Sequence, residues 1–174
     1  MHRRLTLAET DALAAEAHAG QTDRIGVPYV EHVRAVARGL APISERLAQA
    51  GLLHDVVEDT EWTLDGLLAA GVPAEVVALV DAVTNRPGVP YEAMIRSIVE
   101  AAEAGDEEVA LLKIADNAHN SHPDRTAALP AGDRKRLEAK YRAARRLLWP
   151  TVGRDQLEAV VRRVNPSLLD RSGD

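Results

Sequence analysis

Apolar residues recur along this chain three and four positions apart, and polar residues fill the positions between them. That period belongs to helices with one buried face, and no segment alternates residue by residue as a half-buried strand would. Start and stop signals divide the pattern into elements. Thr6 and Glu9 have capping-box spacing and open a helix that ends near Gly20. Pro28 sits where a first turn begins, and YVEHVRAVARGL follows up to Pro42. Ser44 caps ERLAQAGLLHDVVED, read as one helix. Thr63 and Gly71 bound TLDGLLAAG, and Pro73 opens AEVVALVDAVT, which ends at the turn-rich NRPGVP. YEAMIRSIVEAAEA runs to Gly105, and EEVALLKIADNAHN runs from Asp106 to Pro123. Asp133 starts RKRLEAKYRAARRLLW, which stops at Pro150, and DQLEAVVRRV is the last helix. Loops are short and no repeat or linker interrupts them, so the expected fold is all-α, one compact domain over residues 1–174 with C-terminal helices over 133–165 and a frayed tail over 170–174.

Composition narrows the core and the chemistry. The chain has no Phe, two Trp and three Tyr, so its core is built from Leu, Val, Ile and Ala. With no Cys there is neither a disulfide nor a thiolate ligand or nucleophile, and any metal must be held by His, Asp or Glu. The net charge of −6 argues against a broad nucleic-acid surface. MHRRLTLAET carries no apolar run behind its two arginines, and nothing in the chain reads as a membrane span. A cytoplasmic location is the corresponding expectation.

Within this pattern GLLHDVVEDT, residues 51–60, is anomalous. Leu52, Leu53, Val56 and Val57 spread around the helix and imply burial on several sides, yet His54, Asp55, Glu58 and Asp59 share the segment. Burying unpaired carboxylates is costly. Helical spacing places His54 over Glu58 and Asp55 over Asp59. In LLKIADNAHN, Asp116 interrupts a second core-like run, and Asn120 lies one turn further on the same face. His32, on the helix after Pro28, is a third element's contribution. His32, His54, Asp55 and Asp116 would offer two nitrogens and two oxygens, a donor set suited to Mn, Fe or Zn rather than Ca or Mg. A core histidine bonded to Glu58 and an aspartate at a helix kink would account for the same residues without an ion, and spacing alone leaves both readings open. There is no P-loop, GxSxG elbow or serine triad.

In order along the chain, AEAHAGQ, GVPYVEH, LLHDVVEDT and LLKIADNAHN resemble the motifs of the HD-domain phosphohydrolases, in particular the hydrolase domain of RelA/SpoT-type enzymes and the small alarmone hydrolases. The motifs span residues 15–120. The resemblance implies a helical HD fold and a divalent ion, manganese first, with iron, zinc, nickel or cobalt as alternatives. It assigns His32, His54, Asp55 and Asp116 as ligands, and Glu58 and Asp59 as the catalytic acids that manage an attacking hydroxide formed at the ion. It makes Asn120 a nucleotide contact, and the implied reaction removes pyrophosphate from the 3′ position of (p)ppGpp. The pattern also departs from that branch: Asp23-Arg24 stands where Arg-Lys is usual, and Asn117 where the last motif has Arg. An acid cannot supply a cationic stacking surface. Alternatives are therefore a nucleotidase or phosphatase on another nucleotide or small phosphorylated metabolite, or a nucleotide-sensing module without turnover. Arg24, Lys140 and Tyr141 are the candidate phosphate and base contacts. Lys113 and Arg125 could also grip phosphates or a base, with a solvated basic face as the alternative for them and as the reading for most arginines of 134–146. His18 reads as a structural helix-end residue and Thr84 as a helix terminus. His119 and His122 are the only reserve for a second ion, but His119 follows Asp116 by three and points away from it, so one ion is expected. A phosphorylated nucleotide is the expected partner; nucleic acid and membrane are not, and the oligomeric state is left open.

Overall fold

A computed structural model describes residues 3–170; the expected fraying of residues 171–174 falls outside them. Among the described residues there are only helices, turns and one isolated bridge between Thr22 and Pro28. The order is α1 (Leu7–Ala17), α2 (Val30–Leu40), α3 (Glu45–Leu53), α4 (Val56–Asp59), α5 (Leu64–Ala69), α6 (Ala74–Val83), α7 (Tyr91–Glu103), α8 (Glu107–Asn120), α9 (Pro123–Thr126), α10 (Ala131–Leu148), a 3-10 turn (Trp149–Thr151), α11 (Arg154–Val164) and α12 (Ser167–Asp170).

Local chemistry explains most boundaries. Thr6 and Glu9 form the reciprocal capping box, and Ser44 and Thr63 cap α3 and α5 through their hydroxyls. The structure corrects four readings. The short α12 follows α11, so DQLEAVVRRV does not form the last helix and Asp170 belongs to a helical turn rather than to a frayed tail. Pro123 does not merely close α8. It sits at the first turn of the short α9, capped by His122, whose ring accepts the Asp124 N–H. Helix α10 opens at Ala131 rather than Asp133, because the Arg134 N–H already reaches the Pro130 carbonyl. Most consequential, residues 45–59 are not one helix. The chain turns at His54-Asp55, where Asp55 has φ −103° and ψ −5°. His54 Nδ1 lies 2.8 Å from the Gly51 carbonyl, the acceptor that an unbroken helix would give to the Asp55 N–H.

Helix α8 is buried over Val109–Leu112 and Ile114–Ala118, nearly all round, and forms the axis of the core. Around it pack α2, α3, α6, α7, α10 and α11. Val33, Val36 and Leu40 of α2 meet Leu47 and Leu53 of α3 in one aliphatic core without phenylalanine. Each such side chain contributes about 1.5–3 kcal/mol on burial.

Helices α2 and α3 come into close backbone contact at Gly51. A Cβ added there would lie 2.9 Å from Ala37 Cα and 3.0 Å from Ala37 N, inside any normal contact. The glycine therefore sets the distance between the helix that carries His32 and the helix that ends at His54. Alanine has the better helix propensity by about 1 kcal/mol, yet Gly51→Ala should destabilise by about 1–3 kcal/mol because backbone must move. Chemical denaturation of both proteins measures this, and an unchanged or raised stability would show that the helices can separate freely.

Candidate metal centre and cleft

Four side chains from α2, the α3–α4 turn and α8 meet at one point. One donor atom each from His32, His54, Asp55 and Asp116 lies within 4.8 Å of the others. His32 Nε2 is 3.4 Å from Asp55 Oδ2 and 3.3 Å from Asp116 Oδ1. His54 Nε2 is 3.0 Å and 3.5 Å from the same two oxygens. Both imidazoles are 2% exposed, yet neither Nε2 makes a hydrogen bond to any protein atom. Buried ring nitrogens without partners are rare, and two that converge on two carboxylates fit a divalent cation. The opposite edge of His54 agrees: a carbonyl only accepts, so Nδ1 holds the proton facing Gly51, and a neutral ring presents its Nε2 lone pair to the cluster.

The electrostatics of the cluster favour a cation. Burial opposes charge on His54, but the Asp55 and Asp116 carboxylates outweigh it and hold its pKa well above the ordinary imidazole value. Burial likewise opposes ionisation of Asp55, but the neighbouring imidazoles prevail and keep it well below the usual carboxylate range. At Asp116 burial is outweighed by Lys113, whose Nζ lies 2.8 Å away, and by the two histidines. Lys113 is thus a largely covered counter-charge to Asp116 and not part of a solvated face. Burial alone would depress its pKa, but Asp116 raises it. Tyr29 donates its hydroxyl to Asp55 Oδ2 at 2.7 Å, and Asn120 donates its amide to Asp116 Oδ1 at 2.6 Å. Tyr29, Lys113 and Asn120 therefore orient the carboxylates. Tyr29 was not singled out in the sequence; its place one turn before His32 was the available signal.

The break at His54-Asp55 redirects the acidic pair. Glu58 does not bond His54; its carboxylate accepts the Asn85 N–H at 3.0 Å, at the end of α6. Burial, then the Asp55 and Asp59 charges, raises the Glu58 pKa against the opposing Asn85 bond and Lys113. Burial and then Asp55 likewise raise the Asp59 pKa. Both carboxylates line a cleft of about 420 Å³ that also receives Asp55 and Asp116.

Arg24, Arg125, Lys113 and Lys140 bring positive charge to this cleft, and Tyr91 and Tyr141 bring aromatic faces. Lys140 Nζ lies 4.0 Å over the Tyr91 ring and 5.6 Å from that of Tyr141. Burial, then Lys113 and Arg24, lowers the Lys140 pKa. All of the candidate site residues, His32 and His54 included, thus gather at one end of the helical bundle. His18 caps α1 with its Nδ1 2.8 Å from Gln21 Oε1, and the Thr84 hydroxyl donates to the Val80 carbonyl, both structural roles. His122 caps α9. His119 turns to the rear of His32, with the two Nδ1 atoms 2.7 Å apart. Burial, followed by the His32 and Arg125 charges, pushes the His119 pKa down to about 3.

The two departures from the alarmone-hydrolase pattern have structural occupations. Asp23 Oδ1 accepts the Ile25 and Val27 N–H groups at 3.0 Å each, closing a loop whose turn needs Gly26 at φ +84°. Asn117 is 1% exposed, donates to the Tyr141 carbonyl and accepts from Arg145. It ties α8 to α10 and does not line the cleft.

This helical architecture with a His-Asp cluster at one end defines a class, and comparison places the chain in it: the family model described as HD domain matches residues 11–140, and the protein belongs to the HD-domain family. Among individual relatives, guanosine-3′,5′-bis(diphosphate) 3′-pyrophosphohydrolase MESH1 of Danio rerio is 38% identical over 120 residues, covering 66% of each chain. The MESH1 of Homo sapiens is 40% identical over 121 residues with the same coverage. A guanosine-3′,5′-bis(diphosphate) 3′-pyrophosphohydrolase of Haemophilus influenzae is 34% identical over 136 residues, which are 74% of this chain but 20% of that one. The chain therefore matches just under two thirds of the MESH1 proteins and one fifth of the longer enzyme. A solved structure described as a metazoan ortholog of SpoT that hydrolyzes ppGpp superposes with a TM-score of 0.74 over 99% of this chain and 98% of that one, at 24% identity, and shares the fold. A Listeria monocytogenes structure superposes with a TM-score of 0.60 at 25% identity, over 82% of this chain and 97% of that one.

The raised Glu58 pKa carries a stability consequence. A carboxyl group whose folded pKa exceeds its unfolded value favours the fold below the unfolded value, and that contribution is lost as pH rises through the folded pKa. In metal-free protein, ionised Glu58 should cost stability at neutral pH. Glu58→Gln should melt higher than the parent there, and the difference should shrink as pH falls towards 4.5, the ordinary glutamate value. Thermal melts across this range, recorded in chelator, test it; a lower melting point for the variant at neutral pH would show that ionised Glu58 supports the fold.

Proposed function

We propose that this protein is a metal-dependent phosphohydrolase acting on a phosphorylated nucleotide, a (p)ppGpp 3′-pyrophosphohydrolase-like enzyme. The observation that carries the reading is the pair of orphaned, buried Nε2 atoms facing Asp55 and Asp116 on the floor of a cleft with a cationic rim. His32, His54, Asp55 and Asp116 would hold the ion, with manganese as the first choice for two imidazoles and two carboxylates. When bound, such an ion supplies Lewis acidity to a phosphoryl oxygen and makes water a nucleophile near neutral pH.

The chain's own residues provide the rest. Glu58, half-buried and braced by the Asn85 N–H, takes the proton that the attacking water gives up; its raised pKa suits that exchange. Asp59, on the same wall of the cleft, relays that proton onward to the departing 3′ oxygen as its bond to phosphorus breaks, so the water's proton ends on the leaving group. Arg24 and Lys140 pair with phosphates, Tyr141 offers a face to the base, and Asn120 holds Asp116 in position while lining the nucleotide's side of the cleft. The names of the MESH1 relatives support (p)ppGpp as the first substrate to try. A cytoplasmic location accords with such a substrate.

One observation favours a second reading. Asp23 spends its carboxylate on its own loop, and Asn117 is buried against α10, so neither position presents a cation to a guanine. A different phosphorylated nucleotide or small phosphorylated metabolite would then be the substrate of the same machinery.

A panel of (p)ppGpp, NADPH and nucleoside mono- and diphosphates with Mn2+ separates the two readings. On whichever compound turns over, Asp55→Ala should lower kcat/KM by on the order of 10³-fold and Glu58→Gln by roughly 10²–10⁴-fold, both with helical circular dichroism preserved. Full turnover in folded Asp55→Ala would refute the mechanism. Tight nucleotide binding without product across the panel would instead identify a sensing module.

A further inference from the structure

The two ligand histidines have their rear nitrogens held differently. His54 Nδ1 faces a backbone carbonyl, which can only accept, so its tautomer is fixed without further help. His32 Nδ1 faces another imidazole nitrogen, His119 Nδ1, at 2.7 Å. That contact is ambiguous by itself, since either ring could hold the shared proton. If His119 held it, a neutral His32 would carry its own proton on Nε2, where a metal ion could not bind.

A third group removes the ambiguity. Arg125 Nη1 lies 3.1 Å from the same His119 nitrogen. A guanidinium has only N–H groups to offer, so the nitrogen it meets must accept. With His119 Nδ1 an acceptor, the proton between the rings belongs to His32 Nδ1, and Nε2 of a neutral His32 faces Asp55 and Asp116 bare. Arg125 in turn is placed by α9 and steadied by Asp23, with Nη2 3.9 Å from Asp23 Oδ2. We infer that His119 and Arg125 are positioning residues that fix the ring tautomer of His32, and that Asp23, through Arg125, couples the 23–27 loop to the metal ligand. This gives the departure at position 23 a use: an arginine there would face Arg125 as a like charge.

The inference rests on the metal reading, and its tests keep the two apart. Full-length protein is stripped with chelator and titrated calorimetrically with Mn2+. His119→Ala should weaken Mn2+ binding about 10–100-fold, with His119→Gln recovering much of it, because an amide oxygen can accept from His32 Nδ1. Arg125→Leu should weaken binding to a lesser degree, since His119 is then free to choose either tautomer. Long-range 15N–1H spectra of the metal-free protein report the ring state directly: His32 should show its proton on Nδ1, and Arg125→Leu should shift the pattern towards a mixture. Unchanged Mn2+ affinity in folded His119→Ala, or a His32 proton on Nε2 in the parent, would overturn the inference. If the parent binds no divalent ion the proposed function fails, while the His32 ring pattern still decides the tautomer assignment on its own.

Discussion

Carboxylates that face imidazoles at a buried point are the constraint on which this structure turns. Asp55 and Asp116 would each be several kcal/mol too costly to bury ionised without compensation. The protein gives Asp116 the Lys113 ammonium and the Asn120 amide, gives Asp55 the Tyr29 hydroxyl, and aims two unpartnered imidazole nitrogens at both. A divalent cation completes that balance, and in its absence the same field draws a proton onto His54.

Holding these groups in register is the task of the helices around them. Gly51 lets α3 lie against α2, so that His54 arrives opposite His32, and its carbonyl then orients the His54 ring. Helix α8 brings Asp116 to the same point from the far side, and because it is packed nearly all round it has little freedom to move. Turning the chain at Asp55 separates two functions that a continuous helix would have stacked: Asp55 stays on the floor, and Glu58 moves to the wall beside Asn85.

The cleft above the floor departs from the alarmone-hydrolase pattern at Asp23. Its charge comes from Arg24, Arg125 and Lys140, while Asp23 and Asn117 are committed to a loop closure and to a bridge between α8 and α10. The residues proposed to hold the ion and those proposed to meet the substrate are therefore largely separate. The groups behind the two imidazoles add a further distinction, since His32 is oriented by a side chain that needs its own partner, whereas His54 relies on backbone.

The sequence by itself determined the helical class and nearly every helix, and it nominated the four candidate donor residues that packing brings together. Helical periodicity, caps and prolines are local properties, and four polar groups in an apolar run announce a buried purpose whatever surrounds them. It did not reveal the break at His54-Asp55, because that turn arises when the His54 ring competes for a carbonyl within an otherwise helical pattern. Nor could it separate Lys113, which is largely covered beside Asp116, from the exposed basic residues of α10, or assign Tyr29, His119 and Arg125 to the rear of the ligands. Those roles depend on which side chains from distant segments share a few ångströms, and spacing along one helix carries no information about what another helix brings to it. Tertiary packing alone decided them, because the direction of each hydrogen bond follows from the partner it meets.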